Sequence, residues 1–470
     1  MPSRLRVALV SVALLEWVAP TALAWPEPPR DRPARLVLPR VDVDRLTAED
    51  AATVGLELPQ RVGEALEVDL SPADSGTWQE LEGGAARWRL EVASEGARWL
   101  VLGFGRLHLG PGAWLSVRGV QPGVELGPYR AEDARAHGRF WLPPLAGDTA
   151  RIELFWPASL RDVRPDVRLE SVARGYRSAW GAPQGEERSG DGVAAACNVD
   201  VNCPAGDGLQ EQKRGIVQLL IAGSRLCSGS LVNTTAGDCR PYVLTAAHCL
   251  RSDTDPSATL FRFAYERELC ENGSAPTANV LYGSALRAAH ASSDFALLEL
   301  DQPPPAEFEP YFLGWSRSAS APAASWCIHH AGGGPKKLSH DADPAVSGQS
   351  TGWGTSHWRV LDWEEGTTEP GSSGAPLLDP AGRVVGQLHG GTADCRGGWD
   401  EFGKLANSWS GGGTPGTRLS DWLDPLRRGA TAVAGIDGGA CRRHTEREQP
   451  RPRPLSQSRD LRSDRRSLPR

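Results

Sequence analysis

The sequence predicts an all-β protein built from more than one domain, and three observations carry the prediction. Apolar residues recur at every second position in short runs, as on a strand with one buried face. Glycine (53 residues) and proline (37) cut those runs apart, as turns require. Cysteine is confined to one side of the chain, with eight of the nine between Cys197 and Cys395. A length of 470 residues suggests two or three domains. A net charge of −7 argues against nucleic acid as a partner of the whole chain.

Taken in order, residues 1–24 read as a secretory leader. Arg4 and Arg6 precede an apolar stretch from Val7 to Leu15, and Ala22-Leu23-Ala24 offers a small-residue cleavage site. Glu16 and Trp17 break the run too early for a membrane span, so the expectation is a secreted, extracellular or periplasmic protein with no membrane partner. Such export permits disulfides. Residues 25–191 read as a proline-rich linker followed by a cysteine-free β-rich unit, a small antiparallel sandwich. In Arg87-Trp88-Arg89-Leu90-Glu91-Val92 the apolar residues alternate with the charges. Runs at Trp99–Leu102, Trp114–Val117, Arg139–Leu142 and Arg151–Trp156 repeat the pattern. This unit shows no paired carboxylates or metal spacing. The glycine-rich stretch 181–192 reads as a joint, 192–427 as a second strand-rich unit closed by a short helix near Leu419–Arg427, and 428–470 as a disordered Arg/Pro-rich tail.

Three segments of the second unit carry chemistry. Glu369-Pro370-Gly371-Ser372-Ser373-Gly374-Ala375-Pro376 sets serines on a tight glycine turn, which exposes a hydroxyl and gathers N–H groups where an oxyanion can sit. The same residues also read as an ordinary loop. Leu244-Thr245-Ala246-Ala247-His248-Cys249 pins a histidine beside a cysteine, as a general base requires, or is simply a strand end. Ser292-Ser293-Asp294-Phe295 places one acid at the mouth of an apolar strand. There it either orients a histidine or remains a solvated turn residue.

In the order His248, Asp294, Ser373, with their flanks, these segments resemble the chymotrypsin-like serine peptidases, and most closely the secreted bacterial lysyl endopeptidases. The likeness extends to Cys197-Asn198-Val199-Asp200-Val201-Asn202-Cys203-Pro204, Cys227-Ser228-Gly229-Ser230-Leu231-Val232-Asn233, Gly386-Gln387-Leu388-His389-Gly390-Gly391 and Thr417-Arg418-Leu419-Ser420-Asp421-Trp422. Gly127-Pro128-Tyr129-Arg130 through Gly175-Tyr176-Arg177 looks like the pro-region of such precursors. The resemblance implies two packed six-stranded β-barrels with the site between them. Ser373 would be the nucleophile, His248 the base and Asp294 its orienter, with Gly371 and Ser373 N–H groups as the oxyanion hole. It pairs Cys197 with Cys395, Cys203 with Cys270 and Cys227 with Cys249, leaving Cys239, Cys327 and Cys441. A bridge between Cys239 and Cys327 is then a guess. It also maps Asp400 to the base of a lysine pocket, with His389, Gly390 and Trp353 beside the substrate.

The resulting expectation is a monomeric, cofactor-free and metal-free endopeptidase acting on proteins or peptides after basic residues. Its pro-region would serve as intramolecular chaperone or inhibitor. His329-His330 lacks a third ligand at suitable spacing and reads as structural. Ser372 stands where the pancreatic enzymes have the aspartate that pairs with a freed N-terminus, so no such switch is expected. Lys213-Arg214-Gly215-Ile216-Val217 reads as a strand start. The alternatives are a glutamyl endopeptidase and an inactive peptidase-like binding protein. Only Lys213, Lys336, Lys337 and Lys404 are lysines, and none precedes the joint. Release of the pro-region is therefore expected near Arg188, by this enzyme tolerating arginine or by another protease.

Overall fold

The computed structural model describes residues 33–52, 59–119, 125–135, 137–177, 194–349 and 352–441. The expected leader, the joint and most of the expected tail lie outside the described residues. No helix among those described is long and apolar enough to cross a membrane.

The N-terminal unit is a sandwich of two sheets. One runs Ala34–Val37, Ala86–Ala93, Thr149–Trp156, Trp114–Gly119 and Glu125–Tyr129. The other runs Leu145–Ala146, Trp99–His108, Asp166–Gly175 and Gly63–Leu70. Trp88, Leu90 and Val92 all face the shared core, as the alternation predicts. Two features depart from expectation. Ala34–Val37, read as linker, is a parallel strand on Leu90–Ala93, because Leu36 and Leu38 have a core to enter. Val43–Ala52 is a helix that buries Leu46 and is capped by Asp42, which accepts from Arg45 N.

The second unit contains two β-barrels. The first is closed by one bent segment. Val280–Tyr282 pairs with Thr259–Arg262, the chain turns at Gly283 (φ 75°), and Ser284–His290 pairs with Phe295–Leu300. Between them lie Ile216–Ile221, Arg225–Leu231 and Tyr242–Ala246. The second barrel runs Lys337–Asp341, Ser325–His329, Pro376–Leu378, Val384–Gly391, Asp400–Lys404 and His357–Val360. It closes through the bridge of His340 to Glu365. Val217, Leu219, Phe261 and Leu298 fill the first barrel; Trp358, Leu377 and Phe402 fill the second. Tyr242, Phe295, Trp315 and Leu405 form a third core where the barrels meet.

The sandwich docks on the first barrel. Val62, Trp99, Val101 and Ala173 share a buried cluster with Leu220, Leu226 and Leu260. Gln60–Arg61 adds an antiparallel strand to Arg225–Leu226. Burying each large apolar side chain contributes about 1.5–3 kcal/mol, so this shared cluster stabilises the joint.

The C-terminal boundary also moves. Ala432–Val433 pairs with Trp315–Ser316, Ile436–Asp437 pairs with Tyr311–Phe312, and Cys441 bonds to Cys239. The folded chain thus continues past 427 to the disulfide, and the guess of a Cys239–Cys327 bridge is corrected. Cys327 points into the second barrel's core as a buried thiol. The three bridges expected from the resemblance, 197–395, 203–270 and 227–249, all form. The closing helix is short, Ser420–Leu423.

Gly403 marks where the barrels touch: a Cβ there would overlap the carbonyl oxygen of Ser293. Gly403→Ala should therefore cost about 1–3 kcal/mol of stability, read as a lowered unfolding midpoint. Gly208→Ala, where nothing lies within 4 Å, should leave the midpoint in place.

Candidate active site

Strand pairing brings the first two site residues together. Ala246 and Phe295 are opposite each other at the ends of adjacent antiparallel strands, so His248 and Asp294, just beyond those ends, meet. Asp294 takes a left-handed conformation (φ 50°), which aspartate tolerates better than most residues. Its backbone carbonyl accepts from Ala247 N at 2.9 Å. Its carboxylate accepts from His248 N at 2.9 Å and faces His248 Nδ1 at 2.7 Å. The carboxylate is buried, and the Cys227–Cys249 disulfide fixes the residue after the histidine.

The serine turn sits against the same corner. Gly371 (φ 98°) and Gly374 (φ 82°) allow it, and a Cβ on Gly374 would overlap Thr245 Oγ1. The turn's carbonyls are occupied: Pro370 O accepts from Gly332 N, Gly371 O from Ser228 Oγ, and Ser373 O from Ser228 N. No backbone hydrogen bond among the described residues uses the N–H of Gly371 or Ser373. Ser373 O lies 3.9 Å from Cys249 Sγ, next to His248. The Ser373 hydroxyl is not hydrogen-bonded to His248, whose Nε2 is buried and unpartnered among the described residues. Such bonds are often loose until substrate is present.

Ser372 is anchored inward. Its hydroxyl accepts from Glu369 N at 3.1 Å and lies 2.7 Å from His329 Nδ1, while His329 Nε2 lies 3.1 Å from Ser339 Oγ. Complete burial pulls the His329 imidazole down to about 3, so it is neutral. His330 is also buried, with Nδ1 facing Gly334 O at 2.9 Å, and burial holds it well below the ordinary range. Glu369 accepts from Ala195 N at 2.9 Å and Asn198 Nδ2 at 3.1 Å, tying the segment after the joint to the serine turn.

Asp400 begins an interior strand of the second barrel and is fully buried, accepting from Trp363 Nε1 at 2.7 Å and Thr368 Oγ1 at 2.8 Å. These partners are neutral, and burial raises the carboxyl to about 6. Gly391 leaves room above it, since a Cβ there would overlap Asp400. Gly390 pairs with Glu401 across the strand. His389 falls where the register slips between Leu388 and Gly390, and such a bulge re-aims a side chain. Its ring stacks on Trp353 (3.9 Å between centroids, 19°) and lies 3.6 Å from Asp294 Oδ2.

Sequence reasoning missed His357, whose Nε2 lies 3.0 Å from His389 Nδ1, and the buried Arg359–Glu401 pair. It also missed Gln60 of the sandwich. A Cβ on Gly371 would come within 2.8 Å of Gln60 Oε1, a buried acceptor with no hydrogen-bond partner among the described residues. Ligand atoms of His248, Asp294 and His389 lie within 4.8 Å of one another, as do those of Asp341, Asp343 and Glu364. In the first set His248 and Asp294 are hydrogen-bonded and the His389 ring lies beside them. His329 and His330 belong to neither.

The buried neutral histidines set an acid limit. Their folded pKa values lie below the ordinary one, so the unfolded chain binds more protons as pH falls. Stability should be full above about pH 6.5 and decline toward pH 3, by up to about 1.4 kcal/mol per pH unit for each such histidine. Thermal unfolding of the Ser373→Ala chain should show this slope, and His329→Gln should reduce it.

Residues 37–173 match the family described as lysyl endopeptidase N-terminal domain, and residues 191–403 match lysyl endopeptidase, C-terminal domain. A lysyl endopeptidase of Pseudomonas aeruginosa is 31% identical over 291 residues, which span 58% of this chain and 61% of that protein's length. Among solved structures, a protease of M. tuberculosis aligns with TM-score 0.29 at 17% identity, covering 45% of this chain and 91% of that one. A serine endoprotease of Yersinia pestis aligns with TM-score 0.29 at 13% identity, covering 42% and 61%. Scores that low define no fold. The two domain matches come from one family and together span most of the chain: it belongs to the lysyl endopeptidase-like serine peptidases.

Proposed function

We propose that the chain is the precursor of a secreted serine endopeptidase that hydrolyses peptide bonds after basic residues. The observation that carries the specificity is Asp400, a buried carboxylate whose partners are neutral donors. A buried charge of this kind is satisfied by an incoming cation, and a lysine ammonium or arginine guanidinium supplies one.

In this reading His248 Nε2 takes the proton of Ser373 Oγ as the oxygen attacks the scissile carbonyl carbon. The N–H groups of Gly371 and Ser373 receive the oxyanion. His248 then gives the proton to the departing amine, and a water activated by the same nitrogen hydrolyses the acyl-enzyme. Asp294 holds the imidazole in register and stabilises its charged form. The glutamyl alternative needs His389 for a substrate carboxylate, but that ring faces Asp294 and His357.

The sandwich would act as the inhibitor of the uncut chain. Gln60–Arg61 pairs with the strand leading to Cys227, and the Gln60 carboxamide oxygen covers Gly371. The cut expected near Arg188 falls outside the described residues. Ser373→Ala full-length chain, expressed alone, should remain uncut if the enzyme releases itself. Normal maturation would assign the cut to another protease.

Specificity is tested by digesting a denatured protein and mapping the new termini. They should follow lysine or arginine. Termini after glutamate would overturn the basic pocket, and no digestion would favour an inactive scaffold. Asp400→Asn should lower kcat/KM for a lysyl substrate by about 100-fold or more. The Asp400 carboxyl is raised, so it is protonated below about 6. Lysyl kcat/KM should therefore fall as pH drops through that value, beyond any loss seen with an uncharged substrate.

A further inference from the structure

We propose that His329 is a positioning residue for the oxyanion hole, holding Ser372 so that the N–H groups of Gly371 and Ser373 on either side of it keep their aim. This rests on the reading of Ser373 as nucleophile and gives work to a histidine that the reading does not use.

Strand pairing brings His329 under the serine turn. Trp326 pairs with Leu378 and Cys327 with Leu377 in antiparallel register. Carried two residues further, that register sets His329 opposite Ala375, whose N–H donates to Ser372 O at 2.9 Å. Both side chains are wholly buried. His329 Nδ1 lies 2.7 Å from Ser372 Oγ, and its Nε2 lies 3.1 Å from Ser339 Oγ on the neighbouring strand. The same Ser372 oxygen accepts from Glu369 N at 3.1 Å. Whichever of the two atoms donates, the bond ties Ser372 Oγ to the ring.

The turn needs such a tie because glycines at 371 and 374 leave its backbone free to adopt other shapes. Its form is therefore imposed from outside. Ser228 of the first barrel takes the carbonyls of Gly371 and Ser373, and Gly332 N takes that of Pro370. Between those carbonyls Ser372 is pinned from the second barrel, through His329. The N–H of Ser373 belongs to the rigid peptide plane that begins at Ser372, so it moves with that residue. A buried hydroxyl deprived of its partner turns to find another, and the plane turns with it. Burial first, and Lys337 across the strand second, pull the His329 ring down to about 3. The tie is thus made by a neutral ring and needs neither a counter-charge nor a freed chain end.

The test is a double-mutant cycle in the matured enzyme, read with a peptide that the digest of a denatured protein shows to be cut. Loss of one oxyanion donor lowers kcat by on the order of 10²–10³, so Ser372→Ala and His329→Leu should each lower it by about 10-fold or more with KM within about 2-fold. Both remove the same bond, so the double variant should be no slower than the slower single one. His329→Asn, which puts an amide where Nδ1 was, should recover most of the rate. His329→Gln, whose amide reaches the Nε2 position instead, should not. Additive losses, a Gln variant as fast as the Asn variant, or a lowered unfolding midpoint with full kcat in His329→Leu would overturn the proposal. Crystal structures of the full-length Ser373→Ala chain, with and without His329→Leu, need no activity. Loss of the ring should swing Ser372 and the amide at position 373 out of place. An unmoved turn overturns this proposal alone, whereas digestion by Ser373→Ala enzyme would overturn the nucleophile reading and this proposal with it.

Discussion

Everything at this site depends on keeping one carboxylate buried. Asp294 sits where the two barrels meet, and a carboxylate there persists only with donors on every side. The first barrel supplies the N–H and ring of His248, and the second lays the His389 ring alongside, 3.6 Å from the carboxylate. The second barrel also holds the turn itself. Gln387 Nε2 donates to Ser293 O at 2.7 Å, and Ser408 Oγ reaches Ser293 Oγ at 2.9 Å. Neither barrel alone can hold Asp294 in place, so the geometry of the candidate site is a property of their contact.

The same logic explains how the serine turn keeps its shape. In place of an ion pair to a freed chain end, Ser372 hangs on a neutral buried histidine, and Glu369 draws in backbone and side-chain donors from residues 195 and 198. These are interior contacts of the uncut chain. The sandwich grips the first barrel through a continuous apolar core and one short strand.

Much of this was legible in the sequence because alternation and glycine placement are local signals. Trp88, Leu90 and Val92 announced their strand, and Gly371 and Gly374 their turn. Other parts depended on contacts distant in sequence. Ala34–Val37 reads as linker until a partner 56 residues away in register is known. His357 carries no local mark, since its meeting with His389 comes from a bulge in another strand. Cys441 was set apart as tail because arginine and proline follow it; its partner Cys239 is separated by 202 residues. Gln60 is an ordinary polar residue until folding lays it over Gly371.

The last strap of the folded chain has a consequence for the order of assembly. Ala432–Val433 and Ile436–Asp437 lie across strands at Trp315–Ser316 and Tyr311–Phe312, and Asp437 pairs with Arg214 at 2.9 Å. During synthesis both sheets of the sandwich emerge before any of the peptidase, while this strap emerges after both barrels. The first barrel therefore always meets a finished neighbour on one side and waits for its fastening on the other. Directional synthesis alone gives the chain a fixed order of emergence: sandwich first, barrels second, clasp last.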